Sequence, residues 1–90
     1  MKKKRSQLDV IHDMLAAVQE AGGAIKPTHL MYKSNLSYKM MQEYLVLLEE
    51  RGLLSAEEKK SQRQHVITDR GRKFLFDYRR MASFTEAFGL

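Results

Sequence analysis

The sequence predicts a mainly α-helical domain with a small β-hairpin. Apolar residues recur at helical spacing in four separate stretches of the 90-residue chain. Three of these stretches begin at a residue suited to an N-cap, namely Ser6, Ser37 and Thr68. A polar, turn-like stretch at 59–62 separates two short segments with strand character, at 53–58 and 63–68. The hydrophobic fraction of 43% and the absence of cysteine fit one folded domain without disulfides.

The first two helices are predicted from their start and stop signals. Ser6 begins the first helix, and the Gly pair at 22–23 ends it. The inward side chains of this helix are expected to be Leu8, Ile11, Met14, Leu15 and Val18. A very short strand at 24–25 precedes a second helix over 27–33, where Pro27 suits the first helical turn. Leu30 and Met31 form its apolar face.

The third helix, the hairpin and the last helix follow in order. A turn at 34–35 leads to a helix that Ser37 caps and that runs to about Glu50. Its predicted inward residues are Met41, Tyr44, Leu45 and Leu48. Thr68 closes the second hairpin strand and caps the last helix. That helix is expected to turn Phe74, Leu75 and Tyr78 inward.

This order of elements predicts a winged helix-turn-helix. Two helices followed by a capped third form a helix-turn-helix, and a hairpin placed directly after them is the wing. The third helix can present its N-terminal residues to base edges in the major groove of double-stranded DNA, and the hairpin tip can reach phosphates. The residues expected to contact DNA in these elements are Lys33, Ser37, Tyr38, Lys39 and Gln42, with Lys59, Lys60 and Arg63 at the tip.

The positive charge is concentrated at the start of the chain. The net charge is +5, and Lys2, Lys3, Lys4 and Arg5 supply four of these charges. We interpret residues 1–5 as a flexible basic arm, with Lys4 and Arg5 contacting DNA. The alternative interpretation is a frayed terminus that only aids solubility.

The segment from 28 to 54 resembles the short archaeal winged-helix DNA-binding proteins. Their M-Y-x-x-N-L-S-Y core is matched at 31–38, and Y-L and G-L-L follow at 44–45 and 52–54. The start at 4–11 and the Ile-Thr-Asp-Arg-Gly segment at 67–71 are also similar, so the likeness covers about residues 4–80. The resemblance implies DNA binding, with the recognition helix beginning at the Asn-Leu-Ser-Tyr segment.

Two features depart from this family. Some relatives dimerise through a long antiparallel coiled coil at the last helix, but only about a dozen residues follow Tyr78 here. His65 stands where relatives often have an aromatic residue.

The C-terminal segment, 81–90, continues an apolar stripe beyond the needs of one small core. Met81, Phe84 and Phe88 are spaced as on one helical face. We predict that this extension of the 6–80 domain forms a homodimer interface, because exposed apolar patches commonly mark interaction sites. The alternative is that the segment folds back onto its own domain.

Other classes of function lack a signature. The three histidines have no ligand spacing, no Gly-rich phosphate loop is present, and no apolar run approaches the length of a membrane span. We expect no enzymatic activity, no metal or cofactor, no membrane or small-molecule partner, and a cytoplasmic, nucleoid-associated location. The predicted function is that of a dimeric transcriptional regulator. The alternatives are a sequence-tolerant chromatin-type protein and a winged-helix module that binds other proteins.

Overall fold

The order of elements confirms the predicted fold. In the computed structural model, residues 5–90 are described, and they form four helices and one three-stranded antiparallel sheet. The elements are α1 (Gln7–Glu20), β1 (Ala24–Ile25), α2 (Pro27–Ser34), α3 (Tyr38–Glu50), β2 (Leu54–Lys59), β3 (Gln62–Ile67) and α4 (Asp69–Ala87). The chain is therefore a winged helix-turn-helix, in which β2 and β3 form the wing.

The three predicted N-caps are confirmed. The Ser6 hydroxyl accepts from the Asp9 backbone N–H at 3.1 Å, and the Asp9 carboxylate accepts in return from the Ser6 N–H at 3.0 Å. Ser37 caps α3 by accepting from the Met40 N–H at 3.2 Å. Thr68 caps α4 by accepting from the Gly71 N–H at 3.0 Å. These bonds satisfy backbone donors that the helices leave open, and so they fix where three helices begin.

The core lies between α1, the sheet and the inward faces of the other helices. On α1 the buried residues are Val10, Ile11, Met14, Leu15, Ala17 and Val18. Leu8, which was predicted to point inward, is 57% exposed, so that prediction is wrong. The reason is that Leu8 lies in the first turn of α1 and at the edge of the buried arc. On α3, Met41, Leu45 and Leu48 are buried as predicted, and Tyr44 is half-buried.

The sheet has β3 in its centre. β1 pairs with β3 at Ala24–Val66 and Ile25–His65, and β2 pairs with the full length of β3 from its base to Lys59–Gln62. The distal half of the hairpin therefore extends beyond β1 as a two-stranded ribbon. Within residues 5–90, no helix is both long enough and apolar enough to cross a bilayer.

The last helix continues past the core without a break. Leu75 is buried, and Phe74 and Tyr78 are half-buried against the domain. The Tyr78 hydroxyl donates to Asp9 at 2.7 Å, and its ring stacks on His12 with centroids 4.4 Å apart. The apolar residues beyond this point are exposed, and the segment does not fold back onto its own domain.

Candidate nucleic-acid interface

The N-terminal half of α3 presents an open face. Tyr38 is 66% exposed, and Lys39 and Gln42 are also exposed. They follow directly on Ser37, whose hydroxyl uses its acceptor side for the cap and keeps its donor for a ligand. Lys39 and Gln42 point away from the buried stripe of α3, whereas Tyr38 lies in line with that stripe and is exposed because it begins the helix. This end of α3 is therefore accessible to the major groove of DNA.

Val46 extends the same face by one turn. It is 57% exposed and lies four positions after Gln42 and seven after Lys39, which is the spacing of one helical face. Sequence reasoning missed it, although the periodicity that identified the inward stripe also defines the outward one. An apolar side chain in this position can contact the methyl group of thymine.

The second helix contributes a flank to this face. Lys33 is exposed in the last turn of α2, and its neighbour Tyr32 is 74% exposed. Tyr32 was not predicted as a functional residue. In a helix-turn-helix the helix before the recognition helix crosses the DNA backbone, where a phenol hydroxyl and an ammonium group both suit phosphate oxygens.

The wing tip is an exposed turn with two left-handed residues. Lys60 and Ser61 have φ of 52° and 64°, and the flanking Lys59 and Gln62 pair as the last residues of the ladder. Two positive φ values in a two-residue loop are typical of a type I′ hairpin turn, which Gly and Asn favour. The tip instead places a lysine, Lys60, in the turn itself, where it is exposed.

Arg63 lies one residue down the ladder from the tip. It is exposed, and it pairs across the strands with Glu58. Arg63 therefore stands opposite a carboxylate, whereas Lys59 stands opposite the neutral Gln62. Of the three predicted wing cations, only Arg63 pairs across the strands with a carboxylate, so the charges of the two lysines are less neutralised by the wing itself.

Carboxylates toward the C-terminal end of α3 limit the surface that DNA could contact. α3 carries Lys39 as its one cation and Glu43, Glu49 and Glu50 as anions. Glu49 and Glu50 form its last turn, about 15 Å from the N-terminus by helical rise. A phosphate backbone lying along the whole helix would be repelled there, so the geometry favours insertion of the N-terminal half.

His65 lies on β3 toward the base of the wing, close to the end of α3. Its side chain is buried, and its Nδ1 is 3.9 Å from a carboxylate oxygen of Glu49. Burial lowers the pKa of His65 below its ordinary value, because the imidazolium ion would lose its hydration. The Glu49 carboxylate partly opposes this lowering of the pKa, and Arg63 adds to it.

Of the predicted basic arm, residues 1–5, the structure describes only Arg5. Lys4 and the residues before it lie outside the described part of the chain. Arg5 is described, and its guanidinium group contacts Asp13 on α1 and the backbone between α2 and α3. Arg5 therefore lies beside the helix-turn-helix junction, apart from the wing.

The α2–α3 helix-turn-helix followed by the β2–β3 hairpin defines the winged helix-turn-helix class of domain. The chain belongs to the winged helix-turn-helix family, whose model matches residues 4–86. The predicted family resemblance is confirmed for the winged helix-turn-helix family as a whole.

Solved structures share the fold. The chain is similar to Sso10a-2, a DNA-binding protein from Sulfolobus solfataricus, with a TM-score of 0.80 and 19% identity over 93% of this chain and 85% of that chain. It is similar to F93 from STIV, a winged-helix DNA-binding protein, with a TM-score of 0.74 and 15% identity over 91% and 92% of the two chains. A MarR family protein from Bacillus stearothermophilus gives a TM-score of 0.72 and 14% identity over 86% of this chain and 56% of that chain. No curated protein sequence matches the chain.

Proposed function

We propose that the protein binds double-stranded DNA and reads its sequence with α3, as a transcriptional regulator does. The observation that carries this proposal is the exposed surface of α3, where Lys39, Gln42 and Val46 share the outward face and Tyr38 is exposed at the start of the helix. Their chemistry suits base edges: Gln42 can form a paired hydrogen bond with adenine, Lys39 can donate to guanine, and Val46 can contact thymine. The DNA-binding descriptions of Sso10a-2 and F93 support the same function.

The charge of α3 favours a regulator over a sequence-tolerant chromatin-type protein. Binding without sequence preference depends on cations that neutralise phosphates. α3 has one lysine and three glutamates, so this helix gains little from phosphate charge alone. Its contribution must come from specific hydrogen bonds and apolar contacts, with the wing lysines and Lys33 holding the backbone.

The proposal is tested by selecting duplexes from a random DNA library and measuring affinity for the selected site and for random DNA. We expect clear enrichment of a site. The Gln42→Ala variant should lose about 1–3 kcal/mol on that site and much less on random DNA. Gln19→Ala, at an exposed glutamine of α1, is the matched control. Equal losses on both DNAs would refute base readout by Gln42, and absence of binding to any DNA would favour the protein-interaction module.

We further propose that two copies pair through the C-terminal part of α4. Met81, Phe84 and Phe88 are 63%, 58% and 68% exposed, and the two phenylalanine rings are 4.9 Å apart. This apolar surface lies on the part of α4 that the core does not cover. A symmetric dimer would bury it against its copy and would set two recognition helices at a fixed separation.

A further inference from the structure

Arg5 joins α1 to the junction between α2 and α3. Its Nη1 donates to the Asp13 carboxylate at 3.0 Å and to the Ser34 carbonyl at 2.8 Å, and its Nη2 donates to the Asn35 carbonyl at 2.9 Å. The side chain is 34% exposed. A planar guanidinium group can serve three acceptors from two of its edges, whereas a lysine ammonium group cannot reproduce this fork.

The junction needs these donors because of how α2 ends. Asn35 adopts a left-handed conformation with φ of 54°, and the chain then turns toward α3. The N–H groups of Asn35 and Leu36 donate back to the carbonyls of Tyr32 and Met31, each at 3.2 Å. Those two bonds satisfy part of the open end of α2, as in a Schellman motif. The Ser34 and Asn35 carbonyls accept from Arg5 instead.

We propose that Arg5 is a positioning residue for DNA recognition, which fixes the α2–α3 junction rather than binding DNA through its charge. This inference rests on the proposed function. Ser37, the cap of α3, lies two residues after Asn35, so a shift of the junction moves the end of α3 that carries Tyr38 and Lys39. Hydrogen bonds to bases tolerate displacements of only about 0.5 Å, so removal of the Arg5 hydrogen bonds weakens readout.

The test uses the full chain and compares Arg5→Lys, Arg5→Ala and Asp13→Asn on the selected duplex and on random DNA over a range of salt. Arg5→Lys keeps the charge but loses the fork, and it should bind the selected site about fivefold to tenfold more weakly with an unchanged salt slope. Asp13→Asn removes a negative charge. Simple electrostatics predicts tighter binding for it, whereas positioning by Arg5 predicts weaker binding to the selected site.

Arg79→Lys, at an exposed arginine of α4 outside the junction, is the matched control and should leave affinity unchanged. A readout without DNA is amide hydrogen exchange, which should speed up at Asn35 and Leu36 in Arg5→Lys and Asp13→Asn. Normal binding by Arg5→Lys, together with a salt slope flattened by about 0.9 in Arg5→Ala, would identify a phosphate contact and overturn the proposal. So would tighter binding by Asp13→Asn. If the unmodified protein bound no DNA while these amides still exchanged faster in the variants, the proposed function would fail but Arg5 would remain the residue that fixes the junction.

Discussion

At the residue scale, His65 links stability to pH. The folded state lowers the pKa of this imidazole, mainly because the side chain is buried, so the unfolded chain takes up a proton at a higher pH than the folded protein does. The resulting stability is fully present above the ordinary pKa of about 6.5 and is lost as the pH falls toward the folded-state value. Melting temperature should therefore decline below about pH 6.5.

The His65→Phe variant isolates this effect. It removes the titrating group and retains a ring of similar shape, so its melting temperature should depend less on pH between about 8 and 5. The same replacement at the exposed His29 is the control for introducing a phenylalanine, and the two variants are compared over the same pH range. An equally steep acid dependence in His65→Phe would show that another group is responsible.

Gly71 shows how a single missing methyl group permits the start of α4. A Cβ at this position would clash with the Leu53 carbonyl oxygen and lie 2.8 Å from Ile67 Cγ1. We expect Gly71→Ala to reduce the free energy of unfolding by about 1–3 kcal/mol, as overpacking does, although alanine is the better helix former. Denaturant unfolding measures this change. Ser83→Ala, on an exposed turn of α4, should be neutral or slightly stabilising, and a neutral result for Gly71→Ala would contradict the clash.

At the scale of elements, the wing should act through phosphates. Lys59, Lys60 and Arg63 carry its positive charge, and removing all three should weaken binding to every duplex. The salt slope should flatten by about 0.9 for each phosphate that these side chains no longer neutralise. The control removes three cations from α4, in Arg72→Ala, Lys73→Ala and Arg79→Ala. If both triple variants lowered the slope equally, net charge rather than binding by the wing would explain the result.

Sequence patterns predicted the helices and strands better than they predicted the exposure and the tertiary contacts of individual side chains. Ser6, Ser37 and Thr68 identified helix starts because a cap is a local arrangement of a few neighbouring residues. The exposure of Leu8 could not be predicted in this way, because it depends on which elements cover the first turn of α1. The partners of Arg5 lie up to 30 positions along the chain, and no local pattern identifies them. In the candidate site, the helical periodicity of α3 could have identified Val46 as an outward residue. Periodicity does not show which outward residues contact bases, because that depends on how the DNA is placed.

At the scale of the whole molecule, assembly should depend on the apolar end of α4. Replacing Phe84 and Phe88 with serine removes most of the exposed aromatic surface there, while the buried Leu75 keeps the helix attached to the domain. We expect the unmodified protein to sediment as a dimer at micromolar concentration. The double variant should sediment as a folded monomer that binds DNA much more weakly, because two linked half-site contacts reinforce each other. Phe76→Ser, elsewhere on α4, is the control, and a monomeric unmodified protein would contradict the dimer.

The central position of β3 has a consequence for how the chain folds. Pairing Ile25 with His65 closes a loop of 40 positions, and that loop contains the whole of α2, α3 and β2. The lost conformational entropy raises the free energy of closing such a loop by about 3 kcal/mol. Only the contacts of the completed sheet and core offset this cost. The pairing of β1 with β3 should therefore form late, together with the packing of α2 and α3 into the core. A mutation that slows this closure would delay the assembly of the proposed DNA-reading surface, even if the mutated residue lies far from α3.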